Sequence, residues 1–296
     1  MLQGVKNMAI EIIVDSGCDL TVQQAQQMNL ILLPFVVRIG NTDYLDRVSL
    51  SAEEFYEKLI EETELPKTSQ ISPYAYQEAV NSVKQRGNQA LIITITSRLS
   101  GSHRNALLAA QQAQKDVVVI DSLSASIGEQ LLVKRACQLR DEGRTPLALE
   151  TILNDEKKYI HIIALLDTLE YLKKGGRISK AASIAGSLLG IRPVIKAVGG
   201  QIEVIGKARG SRSGNNLLIQ EVVNSGGIRF DMPYALAYSG LSDRRLQKYI
   251  ADSRPLYEGK TDSFPISICG STIGTYAGPE AVICAWFANK PCTKNT

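Results

Sequence analysis

Short apolar runs alternate with helical periodicities through the first half of the chain. Ile10 to Val14 reads as a buried strand closed by Asp15-Ser16-Gly17, and Asp19 reads as the N-cap of a helix from Thr21 to Met28. Leu30 to Ile39 is a second strand interrupted by Pro34, and Ser51 caps a helix from Ala52 to about Glu62. Ser72-Pro73 opens another helix, with proline at the first helical position where its missing N–H costs nothing. Leu91 to Thr96 and Val117 to Ile120 are strands, each followed by a helix: Ser102 to Gln114, then Ser124 to Glu142, which Gly143 ends. Strands alternating with helices predict a parallel sheet covered on both faces, a three-layer α/β arrangement.

The pattern changes near residue 160. Ile160 to Leu166 reads as a strand and Thr168 to Lys174 as a short helix stopped by Gly175-Gly176. Ser179 to Leu189 is an Ala-, Ser- and Gly-rich helical stretch that would let a backbone or ligand approach closely. Val194 to Ala197 and Gln201 to Ile205 are strands joined by a tight Gly199-Gly200 turn. Leu217 to Val223 and Asp243 to Ser253 are helical, while Tyr234 to Tyr238, Ile266 to Cys269 and Ala281 to Phe287 are strands. This mixture of hairpin and crossover units predicts a second, mixed α+β domain. The expected division is residues 1–160 for the parallel α/β domain and 161–296 for the mixed one.

Composition narrows the function. Of 296 residues, 44% are hydrophobic and 21% charged, enough to bury a core and too apolar for a disordered chain. The net charge of +3 is far from the balance of an electrostatic nucleic-acid binder, so no nucleic-acid partner is expected. No apolar run approaches the ~20 residues that span a bilayer, and the opening MLQGVKN lacks a signal-peptide core. Met8 is a second candidate start. Cys18, Cys137, Cys269, Cys284 and Cys292 are odd in number and include no CxxC, which argues for reduced thiols and a cytoplasmic location. With only His103 and His161, the chain has no means of building a histidine-rich metal site. Gly206-Lys207 fails the P-loop pattern, and no GxSxG, HExxH or strand-linked GxGxxG is present.

Hydroxyl residues collect at strand-to-helix junctions: Thr68-Ser69-Gln70, Thr96 to Gly101 and Asp121 to Ser124. At the carboxyl ends of parallel strands such loops converge on one crevice, where free helix N–H groups and neutral hydroxyls favour an anion. The plainer reading of each is an N-cap. Two further segments, Lys173-Lys174-Gly175-Gly176-Arg177 and Lys207-Ala208-Arg209-Gly210-Ser211-Arg212, set cations around flexible turns suited to an anionic headgroup or an acidic partner. Gly270 to Pro279 reads as a tight glycine-rich loop between two core strands.

The order and spacing of these segments resemble the DegV family of fatty-acid-binding proteins over nearly the whole chain. The residues that carry the resemblance begin with Asp15-Ser16, Thr68-Ser69-Gln70, Leu99-Ser100-Gly101-Ser102, Asp121-Ser122 and Ser124-Ala125-Ser126. They continue with Leu172 to Ile178, Ile191-Arg192-Pro193, Lys207-Ala208-Arg209 and Ile273 to Pro279. The resemblance implies a two-domain α/β protein, not an enzyme, with one long-chain fatty acid such as palmitate, stearate or oleate between its domains and no other cofactor. The carboxylate would lie at the mouth and the acyl chain in a buried tunnel, presented to a separate fatty-acid kinase that forms the acyl-phosphate. On the family pattern Thr68 and Ser100, with Gly101, match the carboxylate-binding positions, and Arg177 and Arg209 match arginines of the headgroup mouth or the partner surface.

Physical chemistry is consistent with such a carrier. Burying about sixteen methylenes at ~0.8 kcal/mol each gives a gross ~13 kcal/mol before ordering costs. The headgroup then needs only orientation and compensation for desolvation. The expected tunnel wall draws on the small-residue stretch 181–189. The sequence departs from the family at Tyr276, where members commonly have histidine: tyrosine donates from a longer arm through a hydroxyl instead of a titratable imidazole. Arg98 also stands where many members have a small residue. Two other readings remain at this point: a lipid hydrolase or phosphotransferase using Ser100, and a lipid-responsive module without a kinase.

Overall fold

The computed structural model describes residues 8–113, 117–178 and 190–292. The stretch 179–189, expected to be helical and to line a tunnel, and the segment before Met8 lie outside the described residues. Strands β1 (Ile10–Asp15), β2 (Leu30–Leu33), β6 (Gln89–Thr94) and β7 (Val117–Asp121) form a four-stranded parallel sheet in the order β2-β1-β6-β7. Because side chains alternate along a strand, Ile12, Val14, Leu91 and Ile93 face one layer and Ile13 and Ile92 the other. Helices α3 (Pro73–Gln85) and α4 (Ser102–Gln112) cover the second face, with Tyr76, Val80, Ala106 and Ala109 packed on Ile13 and Ile92. This is the expected three-layer arrangement.

Between β2 and β6 the chain adds a small antiparallel sheet in the order β4-β3-β5: β3 (Val36–Ile39), β4 (Thr42–Leu45) and β5 (Lys67–Ser69). Helix α2 (Ala52–Glu61) buries Phe55 and Tyr56 against it. The one strand, interrupted by Pro34, expected over Leu30 to Ile39 is therefore two strands in two sheets. Pro34, which cannot donate to a ladder, lies at the crossing. Helix α1 (Val22–Gln27) is capped by Thr21 in a reciprocal capping box with Gln24, not by Asp19, which has left-handed backbone (φ 59°) and ends a preceding 3-10 turn.

The second half builds a six-stranded mixed sheet, β10-β9-β8-β13-β11-β12. Its strands are β8 (Ile160–Leu165), β9 (Ile191–Val198), β10 (Gln201–Arg209), β11 (Tyr234–Tyr238), β12 (Ile266–Ile268) and β13 (Val282–Phe287). Gly199 and Gly200, both at positive φ, make the tight β9–β10 turn as expected. Helices α8 (Gly210–Asn224) and α9 (Arg244–Asp252), followed by the single turn α10 (Arg254–Tyr257), cover the outer face over Leu218, Val222, Leu246, Tyr249 and Trp286. His161 is buried there against Trp286, with ring centroids 5.5 Å apart, and burial pushes its imidazole down to about 4.

Helix α5 (Ser126–Asp141) joins the two halves. It packs on β1 from one side and on β8, β11 and β13 from the other, and its first two turns, Ser126 to Val133, are buried throughout, while Gln138 and Asp141 near its end are exposed. Gly128 permits the approach of Ile162: a Cβ there would lie 3.1 Å from that side chain. Helix α6 (Pro146–Glu156), capped by Thr145, follows it. Short α7 (Glu170–Lys174) comes after β8, and α11 (Ser271–Ala277) occupies the region expected to be a loop between β12 and β13. No described helix is long and apolar enough to cross a membrane.

Candidate functional site

The loops at the carboxyl ends of the parallel strands do not close on themselves. Together with the inner face of the six-stranded sheet they enclose a cavity of about 350 Å³. The sheet supplies Ile162, Ala164, Ile195, Ile202 and Ile283, a hydrocarbon wall produced by the same alternation that sends Ile163 and Leu165 to the outer core. The roof comes from Thr96, Leu99, Ser100 and Gly101 after β6, from Ser124 to Ser126 after β7, and from Thr272, Ile273, Tyr276 and Ala277 on α11. Among the described residues no aspartate, glutamate or histidine lines the cavity, and no group of three or more His, Cys, Asp or Glu is arranged to hold a metal.

The polar end is compact. Thr68 Oγ1 on β5 and the Tyr276 hydroxyl on α11 are 2.6 Å apart, a hydrogen bond between residues 208 apart in the chain. The Arg177 guanidinium lies over the Tyr276 ring at 4.6 Å from its centroid, a cation–π contact. Arg177 is itself fixed by donating from Nη1 to the carbonyl of Gly175 at 2.6 Å and from Nε to that of Leu99 at 3.2 Å. Gly175 lets the ring lie flat on the backbone, since a Cβ there would stand 2.5 Å from two ring carbons. Thr68, Arg177 and Tyr276 also border an outer pocket of about 620 Å³, which Lys67 and Lys174 help to line. The three residues therefore form the partition between an apolar chamber and an outward-facing polar one.

Ser100 and Gly101 also line the chamber. Ser100 Oγ accepts from the Ser102 backbone N–H at 3.2 Å and lies 3.1 Å from Ser102 Oγ, to which it donates. Ser102 Oγ in turn accepts from the Ile71 N–H, which ties the β6–α4 loop to the start of α3. A Cβ on Gly101 would collide with the Gln70 amide, so glycine is required where these two loops meet. The three hydroxyl-bearing junctions thus meet at one crevice, and several of the hydroxyls also serve the turn or capping roles that were their plainer reading. Thr96 Oγ1 accepts from the Arg98 N–H, and Ser122 Oγ bridges the Ser124 N–H and carbonyl.

The other candidates lie elsewhere. Arg209 is exposed at the end of β10 and borders neither pocket; Arg98 is exposed outside both. His103 is half-buried with its Nδ1 3.1 Å from Thr94 Oγ1, away from the lining. Sequence reasoning missed the chamber's apolar wall as a set, although its signal was present in the alternation of β8, β9 and β13. It also missed a buried polar junction behind α11, formed by Asp19, Asp46 and Arg47.

The fold and cavity define a class: an α/β protein enclosing an apolar chamber between a parallel and a mixed sheet. Within that class the chain belongs to the DegV family, whose model, described as an uncharacterised protein of the DegV family, matches residues 9–289. A DegV domain-containing protein of Caldanaerobacter subterraneus is 28% identical over 275 residues, covering 92% of this chain and 96% of the relative. Among solved structures, a fatty-acid-binding DegV family protein from Thermus thermophilus aligns with a TM-score of 0.85 at 26% identity, covering 95% of this chain and 100% of that one. The fatty acid kinase (Fak) B3 protein of Streptococcus pneumoniae, loaded with linoleic acid, aligns with a TM-score of 0.80 at 26% identity and the same coverages.

Proposed function

We propose that this chain holds one long-chain fatty acid, its acyl chain in the apolar chamber and its carboxylate at the Thr68–Tyr276–Arg177 partition, and presents it to a fatty-acid kinase. The observation that carries the reading is the pairing of a hydrocarbon-walled chamber with neutral hydroxyl donors and one guanidinium at a single end. A long tail gains roughly 0.8 kcal/mol per buried methylene, and a carboxylate kept at the wet end avoids the cost of burying its charge. Ser100 and Gly101 would complete the carboxylate's surroundings, and Tyr276 would take the place of the usual histidine. The structures similar to this one support the reading, because two of them are described as binding fatty acid.

In this reading residues 1–160 and 161–296 are the two domains and the lipid lies between them. Arg209, exposed and away from both pockets, would face the kinase. The chain itself would perform no chemistry. Ser100 suits an orienting role better than a nucleophilic one, since its hydroxyl bonds to Ser102 and not to a base.

Native mass spectrometry of the purified protein, followed by denaturation and identification of the released molecule, tests the carrier role. One C16 or C18 fatty acid per chain is expected. An empty protein that also fails to take up palmitate or oleate overturns it. With a purified fatty-acid kinase and ATP, acyl-phosphate should form only when the loaded chain is present, and Arg209→Ala should slow its formation without changing palmitate affinity.

A further inference from the structure

We infer that Asp46, which borders neither pocket, is a positioning residue for headgroup recognition, acting through Ser271 and the helix that carries Tyr276. The inference rests on the fatty-acid reading above. Asp46 is fully buried just beyond β4. Its Oδ2 accepts from Ser16 Oγ at 2.7 Å, and its Oδ1 accepts from both the backbone N–H (2.9 Å) and the hydroxyl (2.7 Å) of Ser271, the first residue of α11. Beside it Asp19 accepts from the Gly270 N–H at 2.7 Å and from Ser126 Oγ. Arg47 donates to the Asp19 carboxylate at 3.1 Å and to the Ile268 carbonyl at 2.6 Å. Segments following β1 and β4, and the start of α5, thus grip residues 268–271 from three sides.

The contacts form a closed frame. Thr68 pairs with Val37 on β3, and Val37 pairs on its other side with Tyr44 on β4. Two residues beyond Tyr44 is Asp46, which holds Ser271. Five residues beyond Ser271 along α11 is Tyr276, whose hydroxyl returns to Thr68. The separation of the two hydroxyls at the partition is therefore set by the Asp46–Ser271 contact, about 7.5 Å of helix away. A small rotation of α11 at Ser271 would displace the Tyr276 hydroxyl relative to Thr68.

Backbone strain marks the same junction. Among the described residues six non-glycine positions have positive φ, and three of them, Asp19 (59°), Arg47 (67°) and Ser126 (53°), meet in this network. Side chains disfavour that conformation, so it persists where the surroundings over-determine it. Gly270 completes the close approach, since a Cβ there would lie 2.6 Å from Arg47 Nε and 2.8 Å from Asp46 Oδ1. A junction that only filled space would not need three carboxylate contacts fixed on two consecutive residues at the start of one short helix.

The test compares palmitate with methyl palmitate, which keeps the tail and removes the charge, by displacement of a fluorescent fatty acid. In Asp46→Asn the preference for palmitate over the ester should fall about tenfold, the worth of one misplaced charge-assisted hydrogen bond, with affinity for the ester within about twofold of wild type. Ser271→Ala, which removes only the hydroxyl contact, should lower the same ratio about threefold, and it decides the matter if the asparagine variant does not fold. An unchanged ratio in a folded variant overturns the inference. So does a parallel loss for both lipids, which would make the role structural only. Wild-type protein that takes up neither lipid overturns the carrier reading, and this inference with it.

Discussion

Replacing Tyr276 with phenylalanine removes one oxygen and little else. The ring stays under Arg177, so the cation–π contact at 4.6 Å survives, and the flat packing on Gly175 is unaltered. On the proposed reading, what is lost is a donor to the fatty-acid carboxylate, about 1.5–3 kcal/mol for a hydrogen bond to a charged group. What is regained is the bond the hydroxyl makes to Thr68 in the empty site, about 0.5–1.5 kcal/mol net, because that bond must be given up before both hydroxyls can turn to the ligand. The difference, about 1–2 kcal/mol, predicts palmitate binding about 5–30-fold weaker in Tyr276→Phe. Thr68→Val should behave alike. The double variant should lose more than the sum of the singles, by about 0.5–1.5 kcal/mol, since the Thr68–Tyr276 bond is recovered only once. Calorimetric or fluorescence-displacement titration with palmitate measures all four proteins. A change within about twofold in Tyr276→Phe would refute the carboxylate role. An equal loss for methyl palmitate would place the effect on the tail instead of the headgroup.

Two further variants probe the supports of the site. Gly175→Ala sets a Cβ 2.5 Å from two Tyr276 ring carbons and 3.1 Å from the Tyr171 carbonyl, so urea unfolding should show about 1–3 kcal/mol of overpacking cost together with weaker palmitate binding. Unchanged stability would mean that the ring does not lie where the structure puts it. Glu129 is fully buried on the first turn of α5, and burial, reinforced by Asp15 and Asp19, holds its carboxyl well above the ordinary 4.5. The folded chain thus keeps a proton that the unfolded chain releases, and stability falls by about 1.4 kcal/mol per unit as pH rises above 4.5, until the folded group itself ionises. Glutamine has no such proton. Glu129→Gln should therefore gain on wild type between pH 5 and pH 8 in urea unfolding, and a gap that does not widen with pH would refute the assignment.

Much of the site was legible because its residues sit at junctions that local pattern marks well. Thr68, Ser100 and Gly101 lie where an apolar run gives way to a capped helix, and such loops open at the carboxyl ends of parallel strands whatever the tertiary detail. Glycine-rich surroundings marked the segments of Tyr276 and Arg177, but their expected roles came from the resemblance to the family; Gly175 makes room for the Tyr276 ring. The glycines of segment 270–279 misled. Gly270 to Pro279 reads as a loop, yet α11 tolerates Gly274 in its interior because a side chain there would meet Phe55 at 2.5 Å and the Tyr56 hydroxyl at 2.7 Å. Asp19 looked like a cap because an aspartate ahead of a helical pattern fits that role locally. Its actual partners, Arg47, Ser126 and Gly270, come from distant segments. Strands β4 and β5 are short, polar and mostly exposed, so periodicity carries almost no signal for them. Helix α6 had a readable start in Thr145-Pro146, the same pattern that marked α3 at Ser72-Pro73.

The distribution of charge around the chamber bears on why, in the proposed reading, the headgroup would be met by hydroxyls. A carboxylate in the chamber wall would repel the ligand's own, and a buried cation there would cost desolvation at every unloading. Among the described residues the lining holds no carboxylate, and the ammonium of Lys196, which also borders the chamber, is paired with Glu221. The lining's one cation at the headgroup end is Arg177, half-buried and already engaged with two carbonyls and a ring, so it contributes field without having to be stripped of water each time the site empties. The acids nearest the chamber lie behind the backbone: Asp15 accepts from the N–H of Ile95, a wall residue, and its own burial lifts it to about 7. Glu129, against the same group, is also held well above its ordinary range. The protein therefore keeps negative charge low behind the wall at neutral pH, at a cost in stability that grows as the pH rises. On the proposed carrier reading that trade would suit a ligand that leaves as a whole, charged end first, past the Thr68 and Tyr276 hydroxyls, which are hydrogen-bonded to each other in this structure.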